Sequence, residues 1–220
     1  MTLGNLFCGC LGVVWALDGN LEYASYMMWL AAVLDFGDGF VARWVNAASE
    51  LGKQLDSLAD MVSFGLLPSL IVFMLFSQFH PSSPWLYLAF LITLCSALRL
   101  ARFNIDPEQS HDFKGLPTPA NGLLISSFPF IFAQNEAFLR PGLDSLVVWV
   151  LLIALLSYLL VSNLRLFGLK FSNFTWAENK YRFILVILSV LLLAIWKLLA
   201  VPMVVMLYLI LSVMQQYSKS

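Results

Sequence analysis

The chain of 220 residues is 60% hydrophobic and only 11% charged, with a mean hydropathy of +0.84. A water-facing surface cannot be built from so few charges, since a soluble domain carries about 25%, and disorder needs low hydrophobicity with high net charge. The near balance of 12 Lys+Arg against 13 Asp+Glu leaves no basic face for nucleic acid, so the composition is that of an all-α, polytopic membrane protein.

A spanning helix needs roughly 20 mostly apolar residues. The sequence predicts spans over Leu3–Leu17, Leu21–Phe40, Leu58–Phe79, Trp85–Leu100, Leu123–Phe138 and Ser145–Val161. The first begins almost at Met1, with neither a basic leader nor a small-residue cleavage site. A secretory signal is therefore not expected, and a few residues missing ahead of Met1 are. Turn chemistry separates spans at Asp18-Gly19-Asn20, Pro81-Ser82-Ser83-Pro84 and Arg140-Pro141-Gly142. The final apolar stretch, Phe183–Tyr217, is too long for one helix and is interrupted at Trp196, Lys197 and Pro202, which predicts two spans joined by a tight turn. Eight transmembrane helices result. Cys8, Cys10 and Cys95 lie in apolar stretches without a CxxC pair and read as small hydrophobes.

Basic residues set the orientation. With the N-terminus in the cytoplasm, Arg43, Lys53, Arg99, Arg102, Lys114, Arg165, Lys170, Lys180, Arg182 and Lys219 fall on the cytoplasmic side, and only Arg140 and Lys197 outside. His80 then lies on the outer side and His111 in a polar loop, so neither is a catalytic candidate.

Four aspartates fall within 26 residues, in or beside two apolar helices: Asp35, Asp38, Asp56 and Asp60. Ionisable groups at such positions are costly and point to function. Asp35 and Asp38 are spaced i,i+3 and Asp56 and Asp60 i,i+4, so each pair shares a helix face. A short connection lets both pairs meet at one membrane depth. Like charges about 4 Å apart repel by roughly 4 kcal/mol at an effective dielectric near 20, so the group must be protonated, well hydrated or bound to cations. Hard oxygen ligands favour Mg²⁺ or Mn²⁺, and two ions about 3.5–4 Å apart suit phosphoryl chemistry. A solvated interfacial loop with acids that merely flank the spans is the alternative. Gly39 lets a bulky group approach the helix, Ala42 keeps that face open, and Gly52 opens the facing helix one turn before Asp56. Small residues at these positions also suit close helix packing. Arg43 offers a fork of donors suited to phosphate.

The stretch from Asp35 to Asp60 reads D-x2-D-G-x2-A-R-x8-G-x3-D-x3-D, which resembles the signature of the CDP-alcohol phosphotransferases, integral membrane enzymes of phospholipid synthesis. The resemblance implies six core helices around a polar cavity facing the cytoplasm. It implies that Asp35, Asp38, Asp56 and Asp60 hold two divalent ions, with Asp60 also the general base. It further implies that Thr2, Asn5, Asp38, Gly39, Ala42, Arg43 and Gly52 line the CDP-diacylglycerol site.

Outside the signature, LDSLADMVSFGLLPS, ALRLARFNI, FKGLPTPAN and VSNLR are similar to the serine-using branch of that family, the integral-membrane phosphatidylserine synthases. Met61 after the last aspartate agrees with that branch. Asn121 stands where the resemblance leads one to expect a small apolar residue, and is expected to be tolerated. The implied substrates are CDP-diacylglycerol and L-serine, with membrane lipid around the protein and no nucleic acid. A serine carboxylate needs cations near the metals, and Arg99, Arg102, Lys114, Arg165 and Lys170 lie on the right side; Arg102 and Lys114 are favoured, Arg165 comes next, and Lys170 reads better as a positive-inside residue. Residues 1–182 would form the six-helix domain and 183–220 an added helix pair, suited to packing or to a homodimer. The setting implied is the bacterial inner membrane. Rival readings are another acceptor alcohol (glycerol phosphate or inositol phosphate), an ether-lipid donor, or a cation-coupled transporter that uses the acids as an ion path.

Overall fold

Segments apolar on every side can pack only against lipid or other helices, and their backbones must then close their own hydrogen bonds. The computed structural model describes residues 1–44, 50–105, 112–168 and 175–219, apart from the side chains at 39–44, 112–113, 136, 176–178 and 217–219. His111 and Lys170 lie outside the described residues. In chain order run α1 (Thr2–Leu17), α2 (Leu21–Trp44), α3 (Glu50–Asp60), a π-helical turn (Met61–Leu66), α4 (Leu67–Phe79), a 3₁₀ turn (Pro84–Ala89) and α5 (Phe90–Ile105). There follow α6 (Thr118–Ser126), α7 (Phe128–Leu143), α8 (Leu146–Val161), α9 (Trp176–Trp196), a 3₁₀ turn (Lys197–Leu199) and α10 (Ala200–Lys219). The protein is an all-α membrane protein with one small exception. Strands β1 (Asp112–Lys114) and β2 (Arg165–Phe167) pair antiparallel, with Lys114 opposite Arg165.

By length and composition, three described helical runs can cross a membrane: Glu50–Phe79, Pro84–Ile105 and Asn179–Gln216. A fourth candidate is the pair Ala137–Leu143 and Leu146–Val161, bent by 85°. The turns at Gly19 and at Pro81–Pro84 fall where turn chemistry predicts them, and Gly19 takes a φ of +81° that glycine tolerates without strain. Several boundaries differ from the sequence reading: α2 runs on to Trp44, α5 to Ile105, and the predicted span Leu123–Phe138 is divided between α6 and α7 at Ser127. Pro141 does not end its helix, because α7 continues to Leu143 and its backbone instead departs from helical geometry at Asn135. The third predicted span is longer at its start, since α3 runs without a break through the π-turn into α4.

The stretch Asn179–Gln216 doubles back. Arg182 lies over the Phe167 ring at 5.8 Å, while Tyr208 donates to the Phe167 carbonyl at 2.9 Å. A straight helix would hold residues 182 and 208 about 39 Å apart. Lys197, at φ 51° and ψ −127°, makes the turn.

Glycines on α1 let it come in tight. A Cβ at Gly9 would strike Ser63, and one at Gly12 would meet the Leu67 side chain. The core gathers Phe64, Leu67, Ile71, Phe76, Ile92, Ile125, Trp149 and Ile153, with Phe76 stacked on Trp149 at 5.0 Å. Outward, α1, α5, α8 and α9 present large apolar side chains such as Phe7, Leu94, Leu151 and Val190, a surface suited to acyl chains. These helices bring the polar residues of α1, α2, α3 and α5 to one end.

Candidate active site

Asp35 on α2 and Asp56 and Asp60 on α3 face one another, with one carboxylate oxygen from each lying within 4.8 Å of the others. The i,i+4 spacing brings Asp56 and Asp60 to one side of α3, and the packing of α2 supplies Asp35. Asp38, one turn further along α2, accepts a hydrogen bond from Thr2. Asn5, one turn after Thr2 on α1, donates from Nδ2 to Asp60 at 3.1 Å, and Ser63 donates to the Asn5 carbonyl at 3.0 Å. The near end of α1 therefore engages both acid pairs. Asn5 is fully buried, and its Oδ1 has no hydrogen-bond partner among the described residues.

The donor set suits a hard divalent cation. An octahedral ion with ligands at about 2.1 Å needs oxygens about 3 Å apart when adjacent and about 4.2 Å when opposite. The three aspartates bring their oxygens close to that spacing, and no His or Cys joins the group among the described residues. Gly39, Ala42 and Arg43 fall outside the residues whose side chains are described. Gly52 is exposed on α3, one turn before Asp56.

The π-turn begins immediately after Asp60. An extra residue in the turn advances the helix by about 100°. It thereby allows the acids of α3 and the apolar Phe64, Leu67 and Ile71 to share the inner side. No pattern in the sequence announces it.

A cavity of roughly 560 Å³ opens beside α5, lined by Arg99, Arg102, Ile105, Lys114 and residues 160–163. Lys53 donates to the Asn104 carbonyl at 2.8 Å and Asn104 to Ser57 at 2.8 Å, tethering the end of α5 to α3. Of the three predicted acceptor-site cations, Arg102 and Lys114 line this cavity, whereas Arg165 is exposed on β2 and does not. Arg102 reaches the Val161 carbonyl at 3.4 Å.

Sequence reasoning placed Arg99 in the acceptor neighbourhood but favoured Arg102 and Lys114 over it. The structure buries it to 6% exposure, where it donates to Thr118 Oγ1 at 3.0 Å and keeps Nε without a hydrogen-bond partner among the described residues. It lies within electrostatic reach of Asp60. The available signal was depth: Arg99 sits almost one turn further into the apolar run than Arg102.

The model of the CDP-alcohol phosphatidyltransferase family matches residues 1–157. The chain is 33% identical over 165 residues to a CDP-diacylglycerol–serine O-phosphatidyltransferase of Bacillus subtilis, covering 75% of this chain and 86% of that protein. It is 31% identical over 216 residues to the Helicobacter pylori protein of the same description, covering 97% and 88%. It is also 33% identical over 160 residues to an archaetidylserine synthase of Methanothermobacter thermautotrophicus, covering 72% and 67%.

Proposed function

The chain belongs to the CDP-alcohol phosphatidyltransferase family, and on that premise we propose that it transfers a phosphatidyl group from CDP-diacylglycerol to the hydroxyl of L-serine, giving phosphatidylserine and CMP. One observation carries the reading: three aspartates that suit a divalent cation stand next to a cavity lined by Arg99, Arg102 and Lys114. The acids suit metal-assisted phosphoryl chemistry, and the cations suit an acceptor that brings its own carboxylate.

Asp35, Asp38, Asp56 and Asp60 would hold two Mg²⁺ or Mn²⁺ ions, which when bound would supply charge neutralisation at the pyrophosphate and help to the leaving group. Asp60 is buried, held by Asn5 and nearest in character to a group kept from bulk water. It takes the proton from the serine hydroxyl as the oxygen attacks the phosphorus that bears diacylglycerol. The anhydride P–O bond then breaks and CMP departs with the bonding pair. Arg43 would steady a phosphate, and Thr2, Asn5, Gly39, Ala42 and Gly52 would border the nucleotide. Arg99 would clamp the serine carboxylate, with Arg102 and Lys114 at the rim. Arg165 is a less favoured partner.

The same reading places eight helices across the membrane, with residues 1–182 as the six-helix domain, 183–220 as an added pair and the site toward the cytoplasm of a bacterial inner membrane. The same reading allows a homodimer.

The deciding experiment measures CMP release from CDP-diacylglycerol by the purified protein in mixed micelles. Release that requires L-serine supports the proposal. Release driven instead by glycerol phosphate or inositol phosphate, or only from an ether-linked donor, would assign another member of the family. No release under any acceptor would leave a cation pathway as the better account of the acids.

A further inference from the structure

The helices α9 and α10 lie beyond residue 157, where the family model ends. If they only occupied lipid, apolar contacts would suffice. Instead their polar side chains converge on the four residues 165–168. Tyr208 donates to the Phe167 carbonyl at 2.9 Å, Arg182 Nε to the Gly168 carbonyl at 2.7 Å, and Gln216 to the Arg165 carbonyl. The Phe167 ring meets the edge of Tyr208 at 5.2 Å with the Arg182 guanidinium near its face. Arg182 is itself oriented by Asn179 at 2.9 Å.

The strand gripped in this way backs the cationic cavity. Ser162 and Asn163 line the cavity and lead into β2, and β2 pairs with β1, which ends at Lys114 on the cavity wall. The other side of that wall is held by backbone contacts. Gly115 takes φ +78°, and a Cβ there would lie 2.6 Å from the Leu160 carbonyl oxygen and 3.0 Å from that of Ser162. Gly115 and Leu116 donate to the carbonyls of Leu164 and Leu159, each at 2.8 Å. The wall is thus pinned to the end of α8 on one side and to the C-terminal hairpin on the other. Tyr208 also lies within electrostatic reach of Arg99.

We propose that the α9–α10 hairpin is a positioning device for the acceptor pocket: Tyr208 and Arg182 hold β2, and through it the wall that carries Lys114, so the hairpin sets the affinity for serine without taking part in binding the lipid donor. The proposal rests on the reading of the cationic cavity as the serine pocket. Neither residue touches substrate; both act through the backbone they hold.

The test uses the full chain in mixed micelles, with CMP release followed against L-serine at saturating CDP-diacylglycerol and the reverse. Tyr208→Phe keeps the ring and its contact with Phe167 but removes the donor. One neutral hydrogen bond corresponds to about a two- to tenfold rise in the serine KM, with kcat and the donor KM unchanged. Arg182→Met should raise the serine KM further, and Arg182→Lys, which can still donate to the Gly168 carbonyl, should recover part of the loss. An unchanged serine KM in both Tyr208→Phe and Arg182→Met, at wild-type melting temperature, overturns the proposal. So does a parallel loss in kcat and both KM values, which would mark a general packing role. A wild-type protein whose CMP release does not depend on serine sinks the acceptor reading itself, a result separate from the behaviour of the variants.

Discussion

Replacing Arg99 by Met tests the acceptor pocket most directly. The guanidinium is only 6% exposed and is already tied to Thr118 by one hydrogen bond, which leaves Nε available. Met fills much of the same volume along the side-chain stem, so the helix contacts of α5 survive. A hydrogen bond to a charged group contributes about 1.5–3 kcal/mol, which is roughly a 10- to 150-fold change in an equilibrium. Arg102 and Lys114 remain in the cavity and keep part of the attraction, so the lower half of that range applies, about 10- to 40-fold in the serine KM. Arg99→Lys should fall between, because it keeps the charge but not the planar fork. The assay is CMP release against serine concentration at saturating CDP-diacylglycerol, with a thermal melt to verify folding. A folded Arg99→Met variant with wild-type serine saturation would refute the pocket assignment.

Excess EDTA should abolish turnover and added Mg²⁺ or Mn²⁺ should restore it; full activity after metal removal would contradict the role given to the aspartates. Arg43→Ala should raise the KM for CDP-diacylglycerol while leaving the serine KM near normal, and unchanged donor kinetics would count against a phosphate contact. Lys114→Met and Arg102→Met should each raise the serine KM by less than Arg99→Met, since Arg102 is exposed at the rim; an order with Arg102 largest would move the carboxylate outward. Asp60→Asn should cost about 10²–10⁴-fold in kcat, the span of a general base, and high metal should not restore it. Asp35→Asn should differ by partial rescue in excess metal, and rescue of Asp60→Asn would reduce Asp60 to a ligand.

The acid trio was legible because charge inside an apolar run has few explanations, and because spacings of three and four fix the helix face without any tertiary knowledge. Thr2 and Asn5 were reached only through the family resemblance, but the structure gives them a physical reason: the glycines of α1 let its end approach α2 and α3 together. Arg99 was hidden by an equally good alternative, since any basic residue on that side satisfies the positive-inside rule. The strands β1 and β2 were hidden for another reason. Three residues each carry no periodic signal, and their pairing depends on where α8 and the hairpin deliver them. The hairpin turn itself was visible at Lys197 and Pro202, whereas its grip on β2 was not.

Why the acids gather where they do follows from the cost of keeping them there. With oxygens within 4.8 Å, each ionised pair repels by about 3.5 kcal/mol or more at an effective dielectric near 20. Asn5 contributes one hydrogen bond and Arg99 one positive charge nearby, which cannot balance three anions. Packing does not require them either, because apolar side chains of similar size would fill the same helix faces without the repulsion. A membrane chain that carries such a cost at the end of two helices must protonate the acids, hydrate them or hold positive charge among them, and the proposed chemistry selects the last. Divalent ions held by the aspartates would supply that charge. On the reading proposed above, the lipid tails of the donor would stay in the bilayer against exposed apolar side chains, while serine would enter past Arg102 and Lys114. The donor and the acceptor would then reach the aspartates through surroundings of different polarity, and one end of a helical bundle could so join a lipid to a water-soluble amino acid.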